Sequence, residues 1–531
     1  MLTRRTFVTG LGATPFAAKL LHAREWTQQD ADRAESSDNG HLNYYPRGMY
    51  VWDSWYFTHG EEIHVIHLQK KRPGSDRSEV DGRSLGHAVS ADFLTWKELP
   101  VALIPGPEGS IDDLDLFTGC MHFHNGTYYL YYTARKKSEQ GQFQRLCVST
   151  SKDAIHWTKH ADPVIEPDER WYQQGDCRDL MVVKDPETQQ FHGFFTARIH
   201  STELTQTAVV AHATSQDLIE WKQGPPVFTP NTFGILEEPD VFELNGRWWI
   251  ICATGNFDGV RGDYHDPYVT YGTVYASSEK IDGPYVMGSK NLLLGSMKFN
   301  GFSCRTVQWK GERFVMYTQA ERRNNQDSAP TTLGCLATPK KVMSLSDGQL
   351  CPAYSSLIET RIESVLIDDH AQLGLQEVPF ERAARRFGTS GNWTLSDGHV
   401  RASSLKSWSV RRCGPESDSF IWSAQVRLDS GRAIGLLFRD SLAVYLDFSE
   451  QCVTFTDLPR LERQEARSLK LEHRHDYRLR IIAKSEFFES YIDDILLLNF
   501  VRYQPQRGRF GLYIEAGEGS FAALRAVSIR S

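Results

Sequence analysis

Ser90-Ala91-Asp92-Phe93-Leu94-Thr95-Trp96-Lys97 returns as Ser151-Lys152-Asp153-Ala154-Ile155-His156-Trp157-Thr158 and again as Ser215-Gln216-Asp217-Leu218-Ile219-Glu220-Trp221-Lys222. A looser copy, Ser277-Ser278-Glu279-Lys280-Ile281-Asp282-Gly283-Pro284-Tyr285, follows, so that the copies begin 61, 64 and 62 residues apart. So regular a period marks a repeat architecture, which has to be recognised before single elements are assigned. A second feature keeps the same beat, a turn residue followed by aromatic and aliphatic residues in strand alternation. It runs Gly60-Glu61-Glu62-Ile63-His64-Val65-Ile66-His67, Gly126-Thr127-Tyr128-Tyr129-Leu130-Tyr131-Tyr132-Thr133, Gln190-Phe191-His192-Gly193-Phe194-Phe195-Thr196, Gly246-Arg247-Trp248-Trp249-Ile250-Ile251 and Gly311-Glu312-Arg313-Phe314-Val315-Met316-Tyr317-Thr318. Each unit holds a hairpin, a further strand ending at Ser-x-Asp, and a Trp-bearing strand. Radial repetition of such four-stranded sheets is a β-propeller. The fold class expected is therefore all-β, with a five-bladed propeller over residues 41–340.

Past about residue 375 the beat stops. Phe420–Leu428, Ala433–Arg439, Ala443–Phe448 and Tyr477–Ile482 read as strands at the spacing of a β-sandwich. The expectation is a linker over 341–376 and a sandwich over 377–531. At the other end, Thr3-Arg4-Arg5-Thr6-Phe7-Val8 opens a short apolar run that finishes near Ala23 and is too short to span a membrane. Paired arginines before such a run look like a twin-arginine export signal over residues 1–25, which predicts a periplasmic or secreted protein. No later segment has the roughly 18 consecutive apolar residues of a membrane span.

Hydrophobic residues make up 40% of the 531 and charged residues 24%, the balance of a globular chain long enough to bury sizeable cores. A net charge of −8 argues against nucleic acid as partner, because phosphate binding needs a basic face. Nine cysteines are scattered with no C-x-x-C pair, so neither a zinc site nor any other metal or cofactor is expected. Aromatic residues reach 12%. Flat rings stack on sugar faces, although most of these fill sheet cores.

In a propeller the first strand of each blade lines the central channel. Acidic residues stand near the start of that strand in four of the five units: Asp53, Asp115, Asp179 and the Glu237-Glu238-Pro239-Asp240 run, at steps of 62, 64 and 58 residues. Single acids of this kind are commonly turn residues. Acids in phase with a repeat converge on one mouth, where crowding separates their pKa values and leaves an acid beside an ionised carboxylate. Cleavage of a glycosidic bond needs that pair.

These residues resemble glycoside hydrolase family 32, the invertase, inulinase and levanase group, over about residues 41–320. Leu85-Gly86-His87-Ala88-Val89-Ser90, running on through Asp92, Trp96, Leu99-Pro100 and Pro105, is similar to the family's W-G-H-A-x-S-x-D-L-x-x-W-x-x-L-P-x-A-L-x-P. Asp115-Leu116-Phe117-Thr118-Gly119 resembles the segment ending in F-S-G, Arg178-Asp179 the R-D-P, and Glu237-Glu238-Pro239-Asp240 the E-C-P-D. The resemblance implies a retaining furanosidase acting on fructosides. Asp53 would be its nucleophile and Glu237 its acid and base, with Glu238 and Asp240 as rivals for the acid's role. Asp179 and Arg178 would hold sugar hydroxyls near the transition state. Trp52, Gln69, Asp115, Phe117, Thr118 and Glu238 would make up the rest of the substrate pocket. Ser485-Glu486-Phe487 and their neighbours resemble a weaker pattern of the family's sandwich, for which packing is the first role expected and sugar binding the second.

The departures cluster around the nucleophile. The family's W-M-N-D-P-N-G stands here as Tyr50-Val51-Trp52-Asp53-Ser54-Trp55-Tyr56, R-D-P has become Arg178-Asp179-Leu180, and the Cys of E-C-P-D is Glu238. An altered sugar pocket is the natural consequence. Two alternatives follow: a propeller hydrolase for arabinofuranosides, and a propeller that binds sugar without cleaving it.

Overall fold

The computed structural model describes residues 42–77, 83–202, 206–256, 264–298, 300–368, 373–376, 391–396, 399–459 and 462–530. The expected export signal lies outside them. Antiparallel strands form five blades among the described residues. The first holds β1 (Met49–His59), β2 (Glu62–Lys71), β3 (Leu85–Ser90) and β4 (Lys97–Glu98), and the second β5 (Asp115–His124), β6 (Thr127–Arg135), β7 (Arg145–Ser151) and β8 (Thr158–Lys159). The third holds β9 (Tyr172–Lys184), β10 (Phe191–Ile199), β11 (Ala208–Ser215) and β12 (Lys222–Phe228), and the fourth β13 (Glu237–Leu244), β14 (Arg247–Gly255), β15 (Tyr271–Ser278) and β16 (Leu292–Ser296). In the fifth, β17 (Phe302–Trp309) and β18 (Glu312–Arg322) are followed by β19 (Thr331–Leu336), β20 (Lys340–Ser344) and β21 (Leu350–Ala353). β19 pairs with β18 and also meets β1 at Val51, and Tyr44 bridges to Leu336, so the last blade is fastened to the first.

The repeated Ser-x-Asp is the outer corner of a blade. Ser90 Oγ accepts the amides of Asp92 and Phe93 at 3.1 and 2.8 Å, and Asp92 Oδ1 accepts those of Leu94 and Thr95 at 2.8 and 2.7 Å. Two side chains thereby satisfy the donors that the chain frees as it leaves the sheet. Asp153 and Asp217 accept amides in the same way. The residue after each Asp is left-handed, with φ of 63° at Phe93, 62° at Ala154 and 70° at Leu218.

Between neighbouring blades the strand faces meet in apolar seams. Trp55 and Leu68 pack with Leu116 and Tyr132, Tyr131 and Val148 with Val182 and Phe195, and Phe194 and Val210 with Val241 and Ile250. Val307 and Met316 close the ring against Val51 and Val65. The fifth seam, with Tyr275 of blade four and Tyr317 of blade five, is shared with Ile421, Ile482 and Tyr491 of the C-terminal half. Each such side chain contributes about 1.5–3 kcal/mol on leaving water.

The stretch 341–376, expected as a linker, carries defined structure. β20 and β21 complete blade five, Ser356–Arg361 forms a 3-10 turn, and β22 (Ile362–Ile367) pairs with the last strand of the sandwich. The sandwich strands are β23 (Asn392–Ser396), β24 (His399–Ser417), β25 (Phe420–Phe438), β26 (Leu442–Asp447), β27 (Cys452–Asp457), β28 (Glu462–Ser468), β29 (Tyr477–Lys484), β30 (Phe487–Ile492), β31 (Ile495–Val501) and β32 (Gly508–Ile529). Trp422, Phe438, Phe455, Phe488 and Phe510 fill their core. At the junction with blade five, Glu489 Oε1 meets Lys340 Nζ at 2.8 Å, Lys484 Nζ at 2.6 Å and the Tyr317 hydroxyl at 3.1 Å. Its Oε2 accepts from Tyr491 at 2.8 Å. All nine cysteines are buried thiols.

Candidate active site

Each inner strand slips its register at the same level of the propeller, and β9 slips a second time between Tyr172 and Cys177. The shared slips fall between Val51 and Ser54, Phe117 and Cys120, Arg178 and Met181, Glu237 and Asp240, and Phe302 and Arg305. β5 packs between β1 and β9, β9 runs beside β13, and β17 returns beside β1, so the five bulges form a ring. A bulge bends its strand and re-aims the side chains it carries. Trp52 and Asp53, Thr118, Asp179, Glu238 and Ser303 are the residues so presented. Three of them are left-handed without being glycine: Asp179 at φ 63°, Glu238 at 55° and Ser303 at 57°. Backbone of that kind persists only where its surroundings fix it.

Hydrogen bonds between blades supply the fixing. Thr118 Oγ1 donates to Asp53 Oδ2 at 2.8 Å, and Thr133 Oγ1 bonds the Thr118 carbonyl at 2.8 Å and accepts the Asp179 amide at 3.0 Å. Asp179 Oδ2 takes the Thr196 hydroxyl and the Glu238 amide, both at 3.1 Å. Ser303 donates to Glu238 Oε2, and Thr318 closes the belt by donating to the Trp52 carbonyl. Thr133, Thr196 and Thr318 hold one ladder position in blades two, three and five, opposite Phe117, Arg178 and Phe302.

Arg178, 6% exposed, ties three carboxylates together. Its Nη1 donates to Asp176 at 2.5 Å and to Gln144 Oε1 at 3.2 Å, its Nη2 to Glu237 Oε1 at 3.1 Å, and its Nε lies 3.5 Å from Asp179 Oδ2. Burial pushes the Asp176 carboxyl up, but Arg178 and Arg198 outweigh it and hold the group at about 2. Burial raises Asp240 above the usual carboxylate range, against the pull of Arg305 and Arg313.

Of the residues picked from the sequence, Asp53 with Thr118, and Arg178 with Asp179, Glu237 and Glu238, are joined by these contacts. Asp115 lies apart: it opens β5 two residues before the slip, and its Oδ2 accepts Arg135 Nη2 at 2.5 Å. Phe117 carries the same Arg135 guanidinium over its ring at 4.8 Å. Gln69 is opposite Val51 in the ladder and donates to Ser84 Oγ at 2.7 Å, and Trp52 enters the belt through its carbonyl. Thr133, Thr196 and Thr318 were not singled out, although each ends one of the repeated aromatic segments. Asp176 and Gln144 offered no motif. Among the described residues no group of three His, Cys, Asp or Glu side chains is arranged to hold a metal ion.

The model of the glycosyl hydrolases family 32 N-terminal domain matches residues 57–291. The match takes in Arg178, Asp179 and Glu237 and begins just past Asp53. A sucrose-6-phosphate hydrolase of Zymomonas mobilis subsp. mobilis is 38% identical over 180 residues, 30% of this chain and 33% of the relative. A protein of Neosartorya fischeri named arabinan endo-1,5-alpha-L-arabinosidase C is 25% identical over 226 residues, 41% of this chain and 63% of the relative. The chain thus matches about a third of the sucrose-6-phosphate hydrolase and under two thirds of the arabinosidase. The structure of sucrose-6-phosphate hydrolase from Lactobacillus gasseri superposes with a TM-score of 0.66 at 15% identity, over 96% of this chain and 100% of that one, which shows a shared fold.

Proposed function

From the match to the glycosyl hydrolases family 32 N-terminal domain and the shared fold, we propose that the chain is a glycoside hydrolase of family 32 whose propeller hydrolyses furanosidic bonds, with a β-fructofuranoside as favoured substrate. Asp53 attacks the anomeric carbon while Glu237 gives its proton to the departing oxygen, leaving a glycosyl ester on Asp53. Glu237 then takes a proton from water, whose oxygen displaces Asp53 and releases the sugar. Asp179 and Arg178 hold the sugar's hydroxyls. The observation that carries this reading is the Arg178 guanidinium, which gathers Asp176, Asp179 and Glu237 into one cluster while Thr118 holds Asp53 on the same ring of bulges. Glu237 is favoured over its neighbours because Glu238 is tied to Ser303 and Asp240 to the Thr306 amide at 2.5 Å.

The propeller, whose last blade runs through β21 to Ala353, is the catalytic domain in this reading, and the C-terminal sandwich supports it. The twin-arginine segment exports the folded enzyme, so that a reporter fused behind residues 1–25 should cross the membrane and Arg4→Lys/Arg5→Lys should stop it.

An arabinofuranoside substrate is the second reading, supported by the similarity to the N. fischeri protein together with the changed residues around Asp53. Release of free sugar from sucrose, inulin, levan and an arabinofuranoside, assayed side by side, tests both. Turnover of the arabinofuranoside alone would replace the first reading by the second, and binding without turnover of any would make the propeller a sugar-binding module.

A further inference from the structure

Glu237-Glu238-Pro239-Asp240 is held from two sides, and the two holds differ in kind. Blade three grips the Glu237 carboxylate itself, through Arg178 Nη2 at 3.1 Å. Blade five grips the three residues that follow, one after another. Ser303 donates to Glu238 Oε2, Arg305 Nη1 donates to the Pro239 carbonyl at 2.6 Å, and the Thr306 amide donates to Asp240 Oδ2 at 2.5 Å. The bulge has reason to need this much support. Glu238 stands at φ 55°, a costly conformation for a side chain with a Cβ, and Pro239 has no amide with which to rejoin the ladder.

The middle bond comes from an unusual group. Arg305 is 2% exposed and lies on an inner strand. Its charge is felt at Asp240 and Cys252 of blade four and at Cys120 of blade two, and its hydrogen bond goes to the bulge of blade four. Nε and Nη2 have no hydrogen-bond partner among the described residues, and neither has Asp240 Oδ1. A buried cation is expensive unless an anion lies near it, and Asp240, which feels the charge of Arg305 and of Arg313 on β18 without forming an ion pair with either, is the near carboxylate. The guanidinium therefore offsets the charge of one carboxylate in the run while it anchors the backbone of the residue between that carboxylate and the Glu237-Glu238 pair.

We propose that Arg305 is the positioning residue of the acid and base: its bond to the Pro239 carbonyl and its charge beside Asp240 hold the bulge that aims Glu237 at the leaving oxygen. The inference rests on the reading of Glu237 given above. It differs from a simple clasp between blades four and five, because a clasp would affect every substrate alike, whereas a misplaced acid matters only when the leaving group needs a proton.

Arg305→Met and Arg305→Lys are to be assayed with sucrose and with β-fructofuranosyl fluoride, whose leaving group departs without acid help, beside wild type and Glu237→Gln. For Arg305→Met, kcat/KM should fall about a hundredfold on sucrose but less than about fivefold on the fluoride, the split that loss of general acid catalysis produces. Arg305→Lys, which keeps the charge and a donor, should return sucrose hydrolysis to within about tenfold of wild type. Equal losses on the two substrates, with Glu237→Gln showing the split, would overturn the inference and leave the hydrolase standing. A wild type that turns over neither substrate would overturn both. Should Arg305→Met fail to fold, Arg305→Met/Asp240→Asn removes both buried charges together and goes through the same panel, with the same split expected and equal losses again counting against the inference.

Discussion

Replacing Glu489 by Gln tests how the sandwich is joined to the propeller. Glu489 is 1% exposed, and Lys340 and Lys484, at 1% and 3%, both touch its Oε1. Gln keeps one acceptor oxygen and exchanges the other for an amide nitrogen that donates to a tyrosine hydroxyl, so the change removes the charge and reverses one hydrogen bond. It leaves two buried ammonium groups facing one another. Breaking a buried pair costs about 3–5 kcal/mol, because the remaining charge is uncompensated. The pH dependence sharpens the test. Burial, with Lys484 adding to it, outweighs the pull of Glu489 and lowers Lys340 to about 7. Between pH 7 and its ordinary value near 10.5 the unfolded chain binds a proton there that the folded chain lacks, so this group makes stability rise with pH. At pH 9 Lys340 is already neutral, so the variant breaks only the pair with Lys484 and should lose about 3 kcal/mol, the lower end of that range. At pH 6 the loss should reach the upper end, about 5 kcal/mol, estimated above from the buried pair. Urea unfolding followed by tryptophan fluorescence at both pH values measures it. A loss below about 1 kcal/mol at pH 6, or the same loss at both pH values, would refute the reasoning.

Glu489 also shapes the acid limb: burial raises it, but Lys340 and Lys484 overcome that and hold it at about 2, so its contribution is complete above its ordinary 4.5 and drains away as pH falls from there toward 2, a limb that Glu489→Gln should lack in urea unfolding. Asp53→Asn and Glu237→Gln should each lower turnover about a thousandfold, roughly 4 kcal/mol of barrier, with the unfolding midpoint little changed. Activity above about a tenth of wild type would remove that residue from the mechanism. Retention requires the two carboxyls about 5–5.5 Å apart, and proton NMR of the first-formed product should find the substrate's anomeric configuration; an inverted anomer would make Asp53 a general base. Gly119→Ala should destabilise by about 1–3 kcal/mol or more in the same urea assay, because a Cβ there would stand 2.0 Å from the Tyr131 carbonyl oxygen, whereas Gly193→Ala would press mainly on the Trp221 ring and should cost less.

The blades were legible because their corners are built from local bonds. A Ser and an Asp two residues apart cap the same few amides in each copy, so sequence and geometry share a period. The bulge ring was only half legible. Asp53, Asp115, Asp179 and Glu237 have nearly equal spacing, yet the ladders put Asp115 two residues ahead of its slip and put Thr118 at the belt instead. A strand pattern has a period of two and carries no mark of where one extra residue enters. Thr133, Thr196 and Thr318 could have been found, since each closes an aromatic run at the same place. Arg305 could not, because its partner is a carbonyl and every residue has one. The stretch 341–376 was misread because its strands complete sheets begun elsewhere, so their partners are distant in sequence.

The belt also bears on the altered residues around Asp53. Tyr50–Tyr56 departs from the family's pattern at most positions, and a local reading would put the nucleophile itself in doubt. The bonds that fix Asp53 are not local. Thr118 reaches its carboxylate from blade two, and Thr318 holds the carbonyl of Trp52 from blade five. Thr118 sits in the segment that resembles the family's F-S-G, and Thr318 closes an intact aromatic run of the repeat. The register slip between Val51 and Ser54 matches those of the other four blades, although Ser54 and Trp55 stand where the family has Pro and Asn. Neighbouring blades thus set where Asp53 sits, while its chain neighbours are left to set what the sugar meets. Ser54 and Trp55 are buried, Trp55 in the seam with blade two, while Trp52 is half-buried, so replacing Trp52 is expected to change the glycone accepted without moving the carboxylate, the route by which one propeller could pass from fructofuranosides to another furanoside.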